Sequence, residues 1–406
     1  MENTEMIFLS ILKAALQNHR RADLCDLTQE QWQQIFSLAE AHKVLPLVYH
    51  TVYEVPGLPN AAAIRMRMRQ QMMIQVRKTD EFCRLNQRMK EAGCTPIVVK
   101  GLVCRNLYPQ PDLRISSDED LLIDPSRFAR CCQVFREFGM ETETSEEQMQ
   151  RDYEVPFRKK DGVLFVELHK SLFPPEADAY GDWNRFFEDA RERLVEEGDV
   201  LTLSYTDHLF YLICHAFKHF IHSGFGIRQI CDIVMFANAY GTKVDWDRVY
   251  DNCCQIHGEV FTAAIFRIGE KYLTFDPEKA LYPKAFRDIA VDETDMLMDL
   301  LEAGVYGGAT MSRLHSSNMT LEAVSADKKG KKGKKSLKNT LFPPLESLKQ
   351  RYPYLKKYPI LLPVAWLCRI FRYLRESKER KDNSFVQSLQ IGNQRIELLR
   401  KYRVIR

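Results

Sequence analysis

Residues 97–123 read IVVKGLVCRNLYPQPDLRISSDEDLLI, and the fold turns on two short runs within them. The first, Ile97 to Val99, is β-branched and ends at Lys100-Gly101, where glycine permits a tight turn. The second enters an apolar run, Leu121 to Ile123, through Asp118 and Asp120. Side chains alternate along a strand, so these two acids share a face, with Cα atoms roughly 6.7 Å apart. Two carboxylates beside apolar surface are costly to desolvate unless a counter-charge is supplied. A divalent cation with oxygen ligands, Mg2+ or Mn2+, meets that need.

Working outward, a helix follows Gly101 to about Tyr108, and Pro125 suits the first turn of another. Then YEVPFRK, Lys160-Asp161-Gly162 and VLFVELH read as a β-hairpin with an Asp-Gly turn. Its second strand carries Glu167, a third acid. Three acids on adjacent strands suit two metals about 3.5–4 Å apart, the arrangement of in-line phosphoryl and nucleotidyl transfer. Asp118, Asp120 and Glu167 are therefore the candidate catalytic and metal-binding residues. The helix start after Gly101 favours an anion such as phosphate. Lys100, Gly101, Arg114 and Ser117 are the candidate nucleotide contacts there. An isolated Asp-x-Asp is common on solvated loops; the order of strand, Gly turn, helix, Asp-x-Asp and Glu carries the weight.

These motifs resemble the nucleotidyltransferases of the DNA polymerase β-like superfamily, and most of all an uncharacterised bacterial branch of it. That branch is also helical around its core and has a helix like DHLFYLICHAFKHF after the catalytic region. The resemblance implies a minimal nucleotidyltransferase fold with Asp118 and Asp120 as paired metal ligands, Glu167 as the third carboxylate and Gly101 as the turn that meets the phosphates. An NTP is the implied substrate, ATP among the choices, with Mg2+ or Mn2+. Two departures stand out. Gly101 is followed by Leu102, where the superfamily usually has Gly or Ser, so Lys100 is left to supply charge. The third acid is Glu where Asp is commoner.

The expected class is α+β: a small mixed sheet between N-terminal and C-terminal helical regions. The divisions are 1–93 helical, 94–182 catalytic core, 183–324 helical, 325–340 a Lys-rich linker, and 341–406 a tail with an apolar segment and a charged helix. Thr28 and Gln31 form a capping-box start for a helix to about Ala41. Residues 61–92 form a long helix closed by Gly93, with Met66, Met68, Met72 and Met73 expected as adaptable core packing. From about 183 to 318 the pattern is helical throughout. There His208, His215, His219 and His222 share one face, expected to pack and hydrogen-bond, some at the cleft. His215, His219 and Arg228 are candidate contacts to nucleotide or acceptor. Arg228 and Asp232, four apart, are expected to pair.

The chain has 406 residues, 45% hydrophobic and 28% charged, with a formal net charge of +3. That is globular composition and gives no global argument for nucleic acid. Eleven cysteines, none in a Cys-x-x-Cys spacing, read as reduced thiols of a cytoplasmic protein. The N-terminus lacks a signal-peptide pattern, and no apolar run reaches the roughly 18 residues of a membrane span. Seven lysines fall between 328 and 338. That run suits a solvated linker, or contact with nucleic acid or an anionic membrane surface, which would make the protein peripheral there. YPILLPVAWLCRIFRYL, residues 358–374, is expected to pack under the helical module or to lie at an interface. The rival readings of the chain are a catalytically inactive nucleotide-binding or scaffold protein, and a basic adaptor for RNA or membrane.

Overall fold

The computed structural model describes residues 3–175, 181–222 and 224–303 continuously, short stretches between 317 and 368, and 385–405. The lysine run 328–338 and residues 369–384 lie outside the described residues.

Four helices come first: α1 (Asn3–Leu16), α2 (Gln29–Ala41), α3 (Leu45–Val52) and α4 (Ala61–Glu91). The capping box forms as the sequence dictates. Gln31 N–H donates to Thr28 Oγ1 at 3.2 Å and Thr28 N–H to Gln31 Oε1 at 2.9 Å. The first half of α4 departs in part from expectation. Met66 and Met73 are 64% and 72% exposed and face solvent, whereas Met68 and Met72 are half-buried and pack against the core as expected. Only from Gln75 onward does α4 turn a buried face inward, through Lys78, Phe82, Leu85 and Met89.

A sheet of seven strands follows: β1 (Ile97–Val99), β2 (Glu119–Leu122), β3 (Met140–Glu141), β4 (Glu154–Lys159), β5 (Phe165–His169), β6 (Val195–Glu197) and β7 (Val200–Thr202). Their order is β3-β4-β5-β2-β1-β7-β6. Between them lie α5 (Gly101–Arg105), α6 (Phe128–Glu137) and α7 (Glu146–Arg151). β2 runs antiparallel to β1 and parallel to β5. The register sets Asp120 opposite Val99 on one side and Glu167 on the other. The predicted β4–β5 hairpin is present, and Glu81 of α4 accepts the N–H groups of Val163 and Leu164 in its turn at 3.0 and 2.9 Å.

One expectation fails here. Residues 195–202, VEEGDVLT, are not helical; they form the β6–β7 hairpin around Gly198, at φ +58°, and extend the sheet past β1. The α+β class stands, with a mixed sheet between helical regions.

The second helical region comprises α8 (Tyr205–His222), α9 (Ile227–Tyr240), α10 (Trp246–Gln255), α11 (Glu259–Tyr272), α12 (Lys284–Arg287) and α13 (Thr294–Ala303). Phe217 and Phe220 of α8 meet Phe261 of α11, with ring centroids 4.9 Å apart in both pairs. Each such pair is worth about 0.5–1.5 kcal/mol beyond its buried area. These contacts hold α8 at a fixed height, which sets where its histidines meet the sheet.

One apolar core joins Phe8 of α1, the sheet, α8 to α11 and Ile405. Leu348, Tyr352, Leu355 and Ala365 form a separate small cluster with half-buried Trp366 against it. Thus the described part of the tail's apolar segment packs on its own cluster and not under the helical module. Ile360 there is 86% exposed. Among the described residues no helix is long and apolar enough to cross a membrane.

Candidate active site

Three acids in a row have two destinations. Asp120 faces the cavity beyond the sheet end, whereas Glu119 points the other way and is fully buried. Glu119 ion-pairs with Arg105, accepts the Ser116 hydroxyl at 3.1 Å, and accepts Leu102 N–H at 3.0 Å. It thereby caps the start of α5. A Cβ on Gly101 would fall 1.9 Å from Glu119 Oε2, so only glycine fits where this carboxylate passes. The neighbouring Lys100 has φ 55° and ψ −117°, a conformation that costs a side-chain-bearing residue about 1–3 kcal/mol. The turn is thus built to admit Glu119. The expectation that the helix start greets phosphate is corrected to that extent: Leu102 N–H is already taken.

The second half of α4 clamps the approach to the acids. Gln75 Oε1 accepts Ser116 N–H at 2.8 Å, and Lys78 Nζ donates to the carbonyls of Ser116 and Ser117 at 2.6 and 2.9 Å. Burial pushes the Lys78 amine down to about 8.

His208 holds the other side of the turn. Thr202 Oγ1 donates to the Val98 carbonyl at 2.6 Å, so it accepts from His208 Nδ1 at 3.1 Å. That leaves Nε2 as acceptor for Lys100 N–H, 3.1 Å away. The ring is therefore neutral, and burial pushes it down to about 3. Buried His42, which accepts Ile227 N–H at 3.3 Å, is pushed down to about 4 for the same reason. Both titrate below their unfolded value, so their contribution to stability is complete above pH about 6.5 and is lost as pH falls. Between pH 7.5 and 5.5 each is expected to cost about 1.4 kcal/mol of unfolding free energy. Urea titrations at the two pH values check this, and His208→Gln should shrink the measured difference by about 1.4 kcal/mol, the share of one such histidine.

At the cavity floor, Asp120 on β2 and Glu167 and His169 on β5 each bring one ligand atom within 4.8 Å of the others. His169 Nε2 lies 3.2 Å from Asp120 Oδ1 and 3.7 Å from Glu167 Oε2. Lys100 Nζ sits 2.9 Å from Asp120 Oδ2 and donates to His215 Nε2 at 3.0 Å. Burial alone would raise the Asp120 carboxyl; Lys100 and His169 outweigh it and hold the group well below the usual range. Burial opposes the Lys100 charge too, and Asp120 overcomes it. Glu167 goes the opposite way, up to about 7, through burial and then the charges of Asp120 and Asp118. A carboxyl raised by two acids beside it is the condition a cation relieves. Asp120 Oδ2 is buried and, among the described residues, has no hydrogen-bond partner of good geometry. Two carboxylates and an imidazole are a donor set that a divalent metal accepts. His169 escaped the sequence reading, although its place two residues after Glu167 puts it on the same strand face.

The cavity holds about 460 Å³, a size suited to a small-molecule substrate. Every candidate named from sequence lines it: Asp118, Asp120, Glu167, Lys100, Gly101, Arg114, Ser117, His215, His219 and Arg228. Asp118 lies outside the tight cluster of Asp120, Glu167 and His169. Two of the expected contacts are made differently. Arg114 is spoken for, with Nε and Nη2 donating to Asp232 at 3.1 and 2.6 Å, and Tyr108 adds a third bond to that carboxylate at 2.8 Å. Consequently Arg228 does not pair with Asp232; its guanidinium donates to the Ile115 carbonyl instead. Lys43, Glu154 and Lys218 also line the cavity and carried no sequence signal.

The profile of a family described as an uncharacterised nucleotidyltransferase matches residues 28–274, more than half of the chain. The match runs from the N-cap of α2 past the end of α11 and so takes in the whole sheet and cavity. No curated protein and no solved structure matches.

Proposed function

The chain belongs to the uncharacterised nucleotidyltransferase family, and from that premise we propose metal-dependent transfer of a nucleoside monophosphate from an NTP to an acceptor, with release of pyrophosphate. The core is then of the DNA polymerase β-like kind. The observation that carries this reading is the pairing of Asp120 with Glu167 across parallel strands, at the floor of a cavity beside the Lys100-Gly101 turn. Asp118, Asp120 and Glu167 would hold Mg2+ or Mn2+, with His169 either joining them or steadying Asp120. When bound, the metal polarises the α-phosphate and offsets the charge that develops on it.

The chain's own groups do the rest. Glu167 draws the proton from the attacking hydroxyl, a role suited to a carboxyl whose affinity for protons is already high. Lys100, fixed between Asp120 and His215, keeps a positive charge at the cavity floor. Tyr211, Leu172 and Phe173 give the cavity an apolar wall that limits water. The acceptor is a sugar, a metabolite, a protein or an RNA end.

A second reading has one observation behind it. Lys100 neutralises Asp120 internally, as it would in an inactive nucleotide-binding protein. Incubation with α-labelled ATP, GTP, CTP or UTP, Mg2+ or Mn2+, and cell extract separates the two. Label is expected to move to an acceptor, and not with the Asp118→Asn, Asp120→Asn double variant. Nucleotide binding without any transfer would overturn catalysis in favour of the second reading.

A further inference from the structure

Glu119 occupies part of the helix start that would otherwise receive an anion, so the polyphosphate needs another site. We propose that the β- and γ-phosphates of the nucleotide, and then the pyrophosphate leaving group, bind between Lys43 and Arg228 beside Ser117. The inference rests on the nucleotidyltransferase reading for the identity of the anion.

Lys43 comes from the helical region ahead of the sheet. α2 ends in a Schellman turn: Val44 N–H donates to the Ala39 carbonyl at 2.8 Å and Lys43 N–H to Glu40 at 3.0 Å. The left-handed position of that turn belongs ordinarily to glycine, yet Lys43 holds it at φ 55°. A side chain that the backbone disfavours is explained by what it reaches. Lys43 lines the cavity and donates to the Ser117 hydroxyl, adjacent to Asp118. The His42 bond to Ile227 N–H ties this corner to the start of α9, which brings Arg228 to the same end of the cavity.

Two cations meet there: among the described residues no acid is in ion-pair contact with either, and Arg228 Nε is buried with no hydrogen-bond partner. Burial and then the neighbouring Arg228 charge lower the Lys43 amine; burial and then Arg114 lower Arg228. Paired cations of this kind call for an anion. Asp118 acts by charge on both cations, alone on Lys43 and after Asp232 on Arg228, which sets the anion next to the side of the site where the α-phosphate would react.

Calorimetry with inorganic tripolyphosphate tests this without requiring turnover. Wild-type protein should bind it. Lys43→Gly and Arg228→Met should each weaken binding about ten- to a hundredfold, and Lys43→Arg should restore it. Lys43→Gly relieves the backbone, so its melting temperature should hold or rise while affinity falls, a split that a purely structural role does not produce. Mn2+ affinity by electron paramagnetic resonance should stay unchanged in Lys43→Gly. Equal tripolyphosphate affinity in wild type and Lys43→Gly, or no binding by wild type, overturns the inference. Label transfer that persists with a Lys43-independent affinity sinks this inference alone. Lys43-dependent binding without label transfer under any condition sinks the enzymatic reading alone.

Discussion

Asp118→Asn is expected to lower nucleotidyl transfer by about a thousandfold or more while shifting the melting temperature little, whereas Asp120→Asn should damage both. The two acids flank one residue in sequence, but their surroundings differ. Among the described residues Asp118 makes no side-chain hydrogen bond or ion pair in the protein; it is half-buried and faces the cavity. Removing its charge breaks no hydrogen bond or ion pair among the described residues; it alters only the charge balance with Lys43, Lys78, Lys100, Glu167 and Arg228 and the cavity's capacity to hold a cation. Asp120 is the partner of Lys100, and their side chains are 3% and 15% exposed. Breaking a buried pair from one side typically costs about 3–5 kcal/mol, because the remaining charge stays desolvated. Adding Lys100→Met to Asp120→Asn should therefore return much of the stability and none of the activity. Thermal melts and label transfer on the four proteins measure both quantities. Transfer retained by Asp118→Asn would exclude it as a metal ligand and leave Asp120, Glu167 and His169 as the set.

How far the sequence reaches follows from which contacts are local. β1, the Gly turn, β2 and the β4–β5 hairpin were legible because alternation and turn residues specify them over a few positions. The β6–β7 hairpin was not. Its strands are three residues each and partly charged, and β7 becomes a strand by pairing with β1, about a hundred residues earlier. Alternation along the strand already set Asp118 and Asp120 apart from Glu119, but that Glu119 is held in the interior as an ion pair depends on Arg105 arriving from α5. Arg228 and Asp232 illustrate the limit of the four-residue rule. It describes exposed helix faces, and buried Asp232 takes instead the planar fork of Arg114 from a loop. Met66 and Met73 were misjudged because composition does not say where a 31-residue helix outruns the core. Lys43 had no signal at all, since only the Schellman turn and the start of α9 give it a direction.

Arg105→Met should be the most destabilising single change in the turn, by about 3–5 kcal/mol in urea unfolding. Arg105 and Glu119 are 1% and 0% exposed, so the substitution strands a carboxylate with no access to water. The methionine nearly matches the volume, and the loss is electrostatic rather than a cavity effect. Arg105 also donates to Thr79 and to Ser116, both at 3.0 Å, so α4 loosens from the approach to Asp118 at the same time. The double variant Arg105→Met, Glu119→Leu removes both charges together and should regain most of the stability, as apolar replacements of buried pairs commonly do. It should not regain activity. Leucine cannot accept Leu102 N–H, and its branched end would press on Gly101 where the carboxylate now passes. The Lys100 ammonium would then leave its place between Asp120 and His215. A loss below about 1 kcal/mol for Arg105→Met would mean that the Arg105–Glu119 contact does not hold the turn. Stability and activity restored together in the double variant would mean that the turn does not depend on Glu119, and the account of why Gly101 must be glycine would fail with it.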